Sequence, residues 1–270
     1  MPALGDLVRA VWIQRIGAEP YLQRNLPTGG IELHCPIGSL PRLVGPLTGP
    51  SVEVLAPGTT VIGVRFRPGV AAPMLGLPAS ELVDLTLLLD EVWGPAAVVL
   101  GELLSGARSP EVALFVLQEE LVGRRADGTQ PDPLVSEAVR QLMPWRAGEV
   151  GSLSSRLAIS ESQLRRRCLA AVGIGPKALQ RTLRFQAFLA LVQSTGMRAA
   201  RPDGGGLAEL AAEVGYADHA HLSRECVRLT GLPPGAFLSD TTERCGCGHD
   251  HSASFIPFLR WRPRPAPALA

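Results

Sequence analysis

Four side chains near the C-terminus could bind a metal ion. They are two thiols and two imidazoles within seven residues: Cys245, Cys247, His249 and His251. Thiolate and imidazole ligands suit zinc and softer ions such as copper(I). The spacing is tighter than the two-to-four-residue gap of structural zinc sites, however, and no second ligand pair follows. These residues are compatible with a zinc or soft-metal site and also with a flexible, oxidisable tail. In either case we do not expect the protein to require a cofactor.

Three further cysteines, Cys35, Cys168 and Cys226, lie within the body of the chain. Because free cysteine is among the most buried residue types, we expect Cys168 and Cys226 to be small core residues. The alternative is a metal- or thiol-redox-responsive regulator that uses these two residues and the Cys245–His251 tail. Cys35, which follows His34, is also expected in the core; the competing hypothesis is a reactive thiol that accepts an alkyl group from DNA.

Arginine is the second residue type that indicates chemistry, because its side chain suits bidentate contact with phosphate and guanine. Of the 26 basic residues only Lys177 is a lysine. Compositional bias would also explain this preference for arginine, because the acidic N-terminal half likewise has no lysine. The net charge is +1 overall, but it is −5 over residues 1–134, +4 over 135–240 and +2 over 241–270. The C-terminal half therefore suits a polyanionic partner.

Two arginines of the N-terminal half, Arg65 and Arg67, alternate at the end of an apolar stretch and so share one face of a predicted strand. They are candidate ligands of an anionic effector. A solvated or salt-bridged face is the other interpretation.

Several classes of protein are excluded by what the sequence lacks. It has no phosphate-binding Gly-Lys-Ser/Thr loop, no GxSxG motif and no paired metalloprotease histidines, so we do not expect an enzyme. No run approaches the roughly 18–20 apolar residues of a membrane span, and Asp6 and Arg9 interrupt any signal peptide. The odd number of cysteines does not fit a secreted disulfide framework. We therefore expect a cytoplasmic protein with no membrane partner.

The elements that position these residues begin with β-like stretches separated by Gly and Pro. The stretches are Leu7–Ile16, Ile31–Cys35, Leu40–Leu47, Val52–Leu55 and Thr59–Phe66. Helical signals follow, including a helix that begins at Ser109-Pro110. Beyond the polar stretch Arg124–Pro133, a second helix begins at Asp132-Pro133, and the pattern stays helical to about Phe237.

At 270 residues and 46% hydrophobic content, the chain should form two domains. The prediction is an α+β domain over residues 1–125, with strands first and helices after, and a linker over 126–132. An all-α domain follows over 133–240. The Cys/His- and Pro-rich tail, 241–270, is expected to be flexible.

The C-terminal half repeats itself at an offset of 58 residues. Each copy has an N-cap residue, a buried stripe, a glycine where the helix should end and a following proline. The aligned pairs are Ser160/Asp218, Leu164/Leu222, Arg166/Arg224, Cys168/Cys226, Gly173/Gly231, Ile174/Leu232, Pro176/Pro234 and Leu179/Phe237. Upstream the offset is 57, which pairs Ala158 with Gly215. Each copy thus follows the helix-turn-helix plan, in which the second helix enters the DNA major groove.

A helix over Pro176–Ser194 connects the two copies and should be about 28 Å long at about 1.5 Å per residue. This length is close to the roughly 34 Å of one DNA turn, so both motifs could lie in successive major grooves. The exposed N-terminal faces of the second helices carry Glu161, Ser162, Arg165 and Arg166 in the first copy, and His219, Ala220, His221, Ser223 and Arg224 in the second.

Residues 150–238 resemble the DNA-binding domain of the AraC/XylS family of bacterial transcription regulators. The resemblance is carried by ISESQLRRRCLAAVGIGPKALQRTLRF and AHLSRECVRLTGLPPGAFL. It implies a sequence-specific regulator that binds double-stranded DNA through two helix-turn-helix motifs. By position, the family's base contacts correspond to Ser162, Arg165, Arg166, Ala220, His221 and Arg224.

The N-terminal segments 25–33, 43–50 and 63–84 are similar to a domain found in one branch of the same family. That similarity implies a sensor or association module, with an unidentified small-molecule effector, RNA polymerase and a second copy of the chain as candidate partners. One departure from the family concerns Cys168 and Cys226, which stand where an aromatic residue is usual. We expect the lost core volume to loosen the motifs by a few kcal/mol unless neighbours fill the space.

Overall fold

The structure is a computed structural model that describes residues 4–127, 130–146, 150–195, 205–243, 255, 258 and 259. Within these ranges seven strands occupy residues 8–88: β1 Val8–Arg15, β2 Tyr21–Asn25, β3 Glu32–Pro36, β4 Arg42–Val44, β5 Ser51–Leu55, β6 Thr60–Phe66 and β7 Thr86–Leu88. Helices follow from residue 72 onward: α1 Ala72–Leu75, α2 Asp90–Trp93, α3 Pro95–Ser105, α4 Pro110–Asp127, α5 Pro133–Gln141, α6 Leu153–Arg156, α7 Glu161–Val172, α8 Pro176–Ser194, α9 Gly205–Glu213, α10 His219–Thr230 and α11 Pro234–Glu243.

Five of the strands form one antiparallel sheet in the order β1-β6-β3-β4-β7, and β2 pairs with β5 in a separate ribbon. β6 is the apolar stretch that the sequence marks most clearly, and it is buried between β1 and β3. Trp12 of β1 lies across it at Gly63, where an added Cβ atom would come 2.0 Å from the indole ring. Only glycine permits this close approach.

Helices α3 and α4 cover one face of the sheet. Their apolar side chains Leu100, Leu104 and Leu117 share a buried cluster with Phe66 of β6. The start of α4 is the predicted one, since the Val112 N–H donates a hydrogen bond of 3.3 Å to Ser109 Oγ. The N-terminal part is therefore an α+β structure, as predicted.

The C-terminal part is built from α5 to α11 around a second buried cluster. α8 supplies much of it, including Leu183, Phe185 and Phe188, because nearly every turn of this helix contacts protein on more than one side. The predicted fold class is confirmed: α8 has the predicted bounds and separates two helix-turn-helix motifs. At the predicted linker, α4 ends at Asp127 and α5 begins at Pro133, and residues 128 and 129 lie outside the described residues.

Two strands were not predicted from the sequence. β2, with the sequence YLQRN, lacks an apolar alternation and is held by polar contacts, such as the 3.0 Å hydrogen bond from Asn25 Nδ2 to Glu53 Oε1. β7 is a three-residue strand at the sheet edge, too short to produce a recognisable pattern.

The two parts of the chain pack directly against each other. Gln186 of α8 is 1% exposed and donates through Nε2 to the carbonyl oxygen of Pro27 at 2.9 Å. Within the tail that was expected to be flexible, Phe258 is only 2% exposed and packs edge-on against Trp145, with ring centroids 5.4 Å apart. None of the helices in the described ranges combines the length and apolar character that a bilayer span requires.

Candidate nucleic-acid interface

The first helix-turn-helix motif consists of α6, a tight turn and α7. Ala158 in the turn adopts φ +54°, and its N–H donates to the Ser155 carbonyl at 3.1 Å. α7 begins with the predicted capping box, in which Ser160 Oγ accepts from the Gln163 N–H and Gln163 Oε1 accepts from the Ser160 N–H. It ends at Gly173 with φ +86°. Local hydrogen bonds thus fix where the first recognition helix begins and ends.

The second motif repeats this plan with α9 and α10. Gly215 adopts φ +89° at the place that Ala158 takes in the first motif, and its N–H donates to the Ala212 carbonyl at 2.9 Å. Asp218 caps α10 by accepting the His221 N–H at 2.6 Å, and Gly231 ends the helix with φ +78°. The predicted repeat is therefore a repeat of structure.

On α7 the predicted DNA contacts Ser162, Arg165 and Arg166 are all exposed. Among the described residues neither Arg165 nor Arg166 has an acidic partner. The next arginine behaves differently: Arg167 Nη1 donates to Asp132 Oδ2 at 2.6 Å and joins α7 to α5. Arg165 and Arg166 are thus the arginines of this helix that face solvent unpaired in the described part of the chain.

On α10 the predicted contacts differ in accessibility. Ala220 and Arg224 are exposed, and Arg224 has no acidic partner among the described residues. His221 is half-buried and packs edge-on against Tyr216, with ring centroids 5.1 Å apart. The hydroxyl of Ser223 lies 3.4 Å from His219 Nδ1. Arg224 is therefore the side chain of this group that is most available to a ligand.

α8 connects the motifs and also contacts the second recognition helix directly. Arg181 Nε lies 3.0 Å from Glu225 Oε2 in a largely buried ion pair. The guanidinium of Arg184 lies 5.7 Å from the centre of the Tyr216 ring. The ion pair holds α10 against α8, and the Arg184 contact holds the turn that precedes α10.

The cysteines of both recognition helices are core residues. Cys168 is 0% exposed and Cys226 is 1% exposed. Burial, and for Cys168 also the charge of Asp132, raises the pKa of each thiol to about 11. In Cys35 of β3, burial raises the pKa to about 12. Because the thiolate is the reactive and metal-binding form, these environments do not favour the redox or alkyl-transfer alternatives.

The four predicted metal ligands lie outside the part of the chain that the structure describes: Cys245, Cys247, His249 and His251. Within the described part, no group of three or more His, Cys, Asp or Glu side chains is arranged to hold a metal ion.

The predicted effector residues Arg65 and Arg67 lie in different surroundings. Arg65 Nε donates to Glu32 Oε1 at 2.7 Å, as the salt-bridge interpretation expects, whereas Arg67 lies just beyond β6. The structure adds Arg9, which is 8% exposed and donates to the Thr28 carbonyl at 3.2 Å. Its Nη2 atom is buried without a hydrogen-bond partner among the described residues. A charged residue inside the apolar stretch Leu7–Ile16 was the signal in the sequence.

These arginines lie near one another around buried Glu32, and Arg9 is the buried one of the three. Burial, and then the charge of Arg65, lower the pKa of Arg9 to about 9. The pKa of Glu32 is far below its usual range: burial would raise it, but Arg65 and a hydrogen bond from His34 outweigh that effect. We call Arg9, Glu32, Arg65 and Arg67 the cationic group below.

Two family models match separate segments of the chain. Residues 153–240 match a helix-turn-helix domain, and residues 1–87 match a domain of unknown function, DUF6597. No curated protein matches the chain.

Several solved structures are similar to it. ToxT from Vibrio cholerae O395 is 12% identical, with a TM-score of 0.47, over 87% of this chain and 98% of that one. The same protein bound to (E)-4-(8-methylnaphthalen-1-yl)but-3-enoic acid is 14% identical, with a TM-score of 0.47, over 85% and 98%. ToxT from strain SCE256 bound to an unsaturated fatty acid is 13% identical, with a TM-score of 0.43, over 85% and 94%.

The matched segment 153–240 contains both motifs, from α6 through most of α11, and therefore every predicted DNA contact. Its two capped recognition helices and the connecting helix have the arrangement that the resemblance implies. The chain therefore carries an AraC-type helix-turn-helix domain at its C-terminal end and is, through that domain, a DNA-binding regulator of transcription.

Proposed function

We propose that this regulator reads two successive major grooves of one DNA site, with α7 in the first and α10 in the second. The observation that supports the proposal is the repeated surface: the N-terminal half of each recognition helix presents exposed arginine without an acidic partner among the described residues. An unpaired guanidinium is free to bind phosphate or guanine without first breaking an ion pair.

The separation of the motifs fits this proposal. α8 has 19 residues, which corresponds to about 28 Å along its axis. Centres of successive major grooves on one face of DNA are about 34 Å apart. A single chain could therefore span the distance that a dimeric repressor spans with two subunits.

The proposed contacts divide by side-chain chemistry. Arg165, Arg166 and Arg224 would bind guanine edges or phosphates, because arginine to guanine is the commonest specific contact. Ser162 and Ser223 would donate to phosphates or bases, and Ala220 could contact a thymine methyl group. His221 is the least accessible of the proposed contacts because it packs on Tyr216.

We further propose that an anionic small molecule controls DNA binding by occupying the cationic group of the N-terminal domain. Arg9 is buried beside Arg65 and Arg67, and its Nη2 atom has no hydrogen-bond partner among the described residues. A buried cation without a full set of acceptors favours an incoming anion. Contact with RNA polymerase and pairing of two copies stay predictions of the resemblance.

Selection of duplexes from a random DNA pool, followed by substitution of one arginine, tests DNA reading. The expected enriched sequence has two blocks whose centres lie about one helical turn apart. Arg224→Ala should cost about 1–3 kcal/mol on this site and relax base preference at one position of the second block. Binding isotherms on duplexes altered at each position measure both effects.

Arg167→Ala is the matched control, because Arg167 lies on the same kind of helix but points to Asp132. It should change stability and leave base preference unaltered. An equal loss of affinity for all sequences in Arg224→Ala would assign Arg224 to phosphate. A single enriched block would contradict tandem reading.

A further inference from the structure

One loop of the N-terminal domain contacts the C-terminal ends of both recognition helices. This loop, Pro46–Pro50, joins β4 to β5, and we call it the bridging loop. A Cβ atom built on Gly173, at the end of α7, would lie 2.7 Å from Cγ of Pro46. One built on Gly231, at the end of α10, would lie 3.6 Å from Cγ of Pro50. Five residues therefore reach both equivalent glycines of the repeat.

The bridging loop is held in one conformation. Thr48 donates twice to Asp84, from its N–H to Oδ1 at 2.7 Å and from its hydroxyl to Oδ2 at 2.6 Å. Asp84 returns a bond from its own N–H to the Pro46 carbonyl at 3.1 Å, and it does so at φ +58°, which is uncommon for a residue with a side chain. With a proline at each end, the loop has little freedom to follow a moving helix.

A second contact beside the bridging loop is a charged one. Arg24 of β2 donates through Nη1 to the carbonyl oxygen of Thr230 at 3.1 Å. Thr230 is the last residue of α10, where carbonyl groups lack intrahelical partners and carry the negative end of the helix dipole. A guanidinium at this point stabilises the helix end and attaches it to the N-terminal domain.

We propose that the bridging loop and Arg24 set the separation and relative rotation of α7 and α10, which makes Arg24 a positioning residue for the spacing between the two DNA blocks. This inference rests on the proposed function. Within the C-terminal domain, α8 contacts α10 through the ion pair of Arg181 and Glu225. The bridging loop adds an independent contact at the C-terminal ends of α7 and α10. The proposed DNA contacts lie towards the opposite ends of these helices, so a small rotation about the contacted ends would move them furthest.

The experiment measures binding to duplexes that carry the two selected blocks with one or two base pairs inserted or deleted between them, and to duplexes that carry one block. One base pair changes the relative rotation by about a tenth of a turn, so the wild-type chain should prefer one spacing by about tenfold. Arg24→Ala should reduce that preference to about threefold or less while single-block affinity stays unchanged. Arg24→Lys, which keeps a charged donor, should restore part of the preference.

Arg15→Ala is the control, because Arg15 is an exposed arginine of the same domain that pairs with Glu111 of α4 instead of a helix end of the C-terminal domain. Thr48→Val provides a second route, since it removes one anchor of the bridging loop and leaves Arg24 in place; it should also flatten the spacing profile. Thermal unfolding shows whether each variant is folded.

Two results would overturn the inference. One is a folded Arg24→Ala chain, together with a folded Thr48→Val chain, that keeps the wild-type spacing profile. The other is an equal loss of affinity on one-block and two-block DNA, which is what a purely structural role would produce. Failure of the wild-type chain to select any two-block site is a separate outcome, because it would contradict the proposed tandem reading before any variant is compared.

Discussion

At the residue scale, the cysteines of the recognition helices show how burial changes the chemistry of a side chain. The sequence predicted two thiols in helices that contact DNA and left both a core role and a sensor role open. In the structure the Sγ atom of Cys226 lies 3.7 Å from Thr230 Oγ1, and Cys168 belongs to the central apolar cluster of the same domain. Both side chains act as small core residues, with thiols that resist ionisation.

The raised pKa values predict unreactive thiols in the native chain. We expect a Cys245→Ser/Cys247→Ser chain to show no fast reaction with an aromatic disulfide reagent at pH 8, and to expose three reactive thiols in denaturant. The folded pKa of Cys168 and Cys226 lies above that of a free thiol, about 8.5. Their stabilising contribution is therefore fully present below about pH 8.5 and is lost as the pH rises towards 11.

Reaction kinetics followed from pH 7 to pH 10 test this expectation. Fast modification of one native thiol at neutral pH, together with loss of DNA binding, would favour the redox-responsive alternative. Substitution of Cys168 and Cys226 by serine would then have to abolish the response to oxidant.

At the element scale, the two motifs use the same turn geometry with different residues. Ala158 and Gly215 both adopt positive φ, but only glycine does so without steric cost. For alanine the left-handed conformation costs roughly 1–2 kcal/mol. The offset of 57 that pairs these residues in the sequence thus identified a conformational requirement of the turn.

Exchange of the two residues should have opposite effects. Ala158→Gly should raise the free energy of unfolding by about 0.5 kcal/mol, since relief of strain exceeds the added entropy of the unfolded chain. Gly215→Ala should lower it by about 1 kcal/mol, because a Cβ there meets nothing closer than Arg184 Nε at 3.7 Å and the cost is confined to the backbone. Urea unfolding measures both changes; shifts in the same direction would show that contacts of the methyl group dominate.

At the scale of the whole molecule, the cationic group of the N-terminal domain lies beside two aromatic side chains from the C-terminal end of the chain. The guanidinium of Arg9 lies 5.5 Å from the centre of the Phe258 ring, and that of Arg65 lies 5.9 Å from the centre of the Phe255 ring. An anion that binds there would meet charge and apolar rings together. Changes at this site would be transmitted to both domains, because Phe258 also packs on Trp145.

Ligand binding to the cationic group can be tested with simple probes. Octanoate and benzoate should raise the thermal unfolding midpoint of the full chain, because a ligand that binds only the folded state stabilises it. Octanol and benzyl alcohol, which lack the charge, should not. In Arg9→Met the shift caused by the carboxylates should disappear. Equal shifts with acids and alcohols would contradict an anion site.

The features that the sequence determined by itself are those that depend on neighbouring residues. The capping box at Ser160, the N-cap Asp218 and the glycine ends of α7 and α10 are all formed by hydrogen bonds within four residues. Apolar periodicity likewise located α8 and β6. Such signals are readable because the partners are close in the chain and repeat with the helix or strand period.

Only the tertiary structure decided which charges are buried and which helix ends are contacted by the other domain. Arg24 and Thr230 are 206 residues apart, and Gln186 and Pro27 are 159 apart, so no local pattern connects them. Arg65 was a candidate ligand in the sequence and is bound to Glu32 in the fold. Desolvation and charge pairing depend on distance in space, and packing of the two domains brings these groups together.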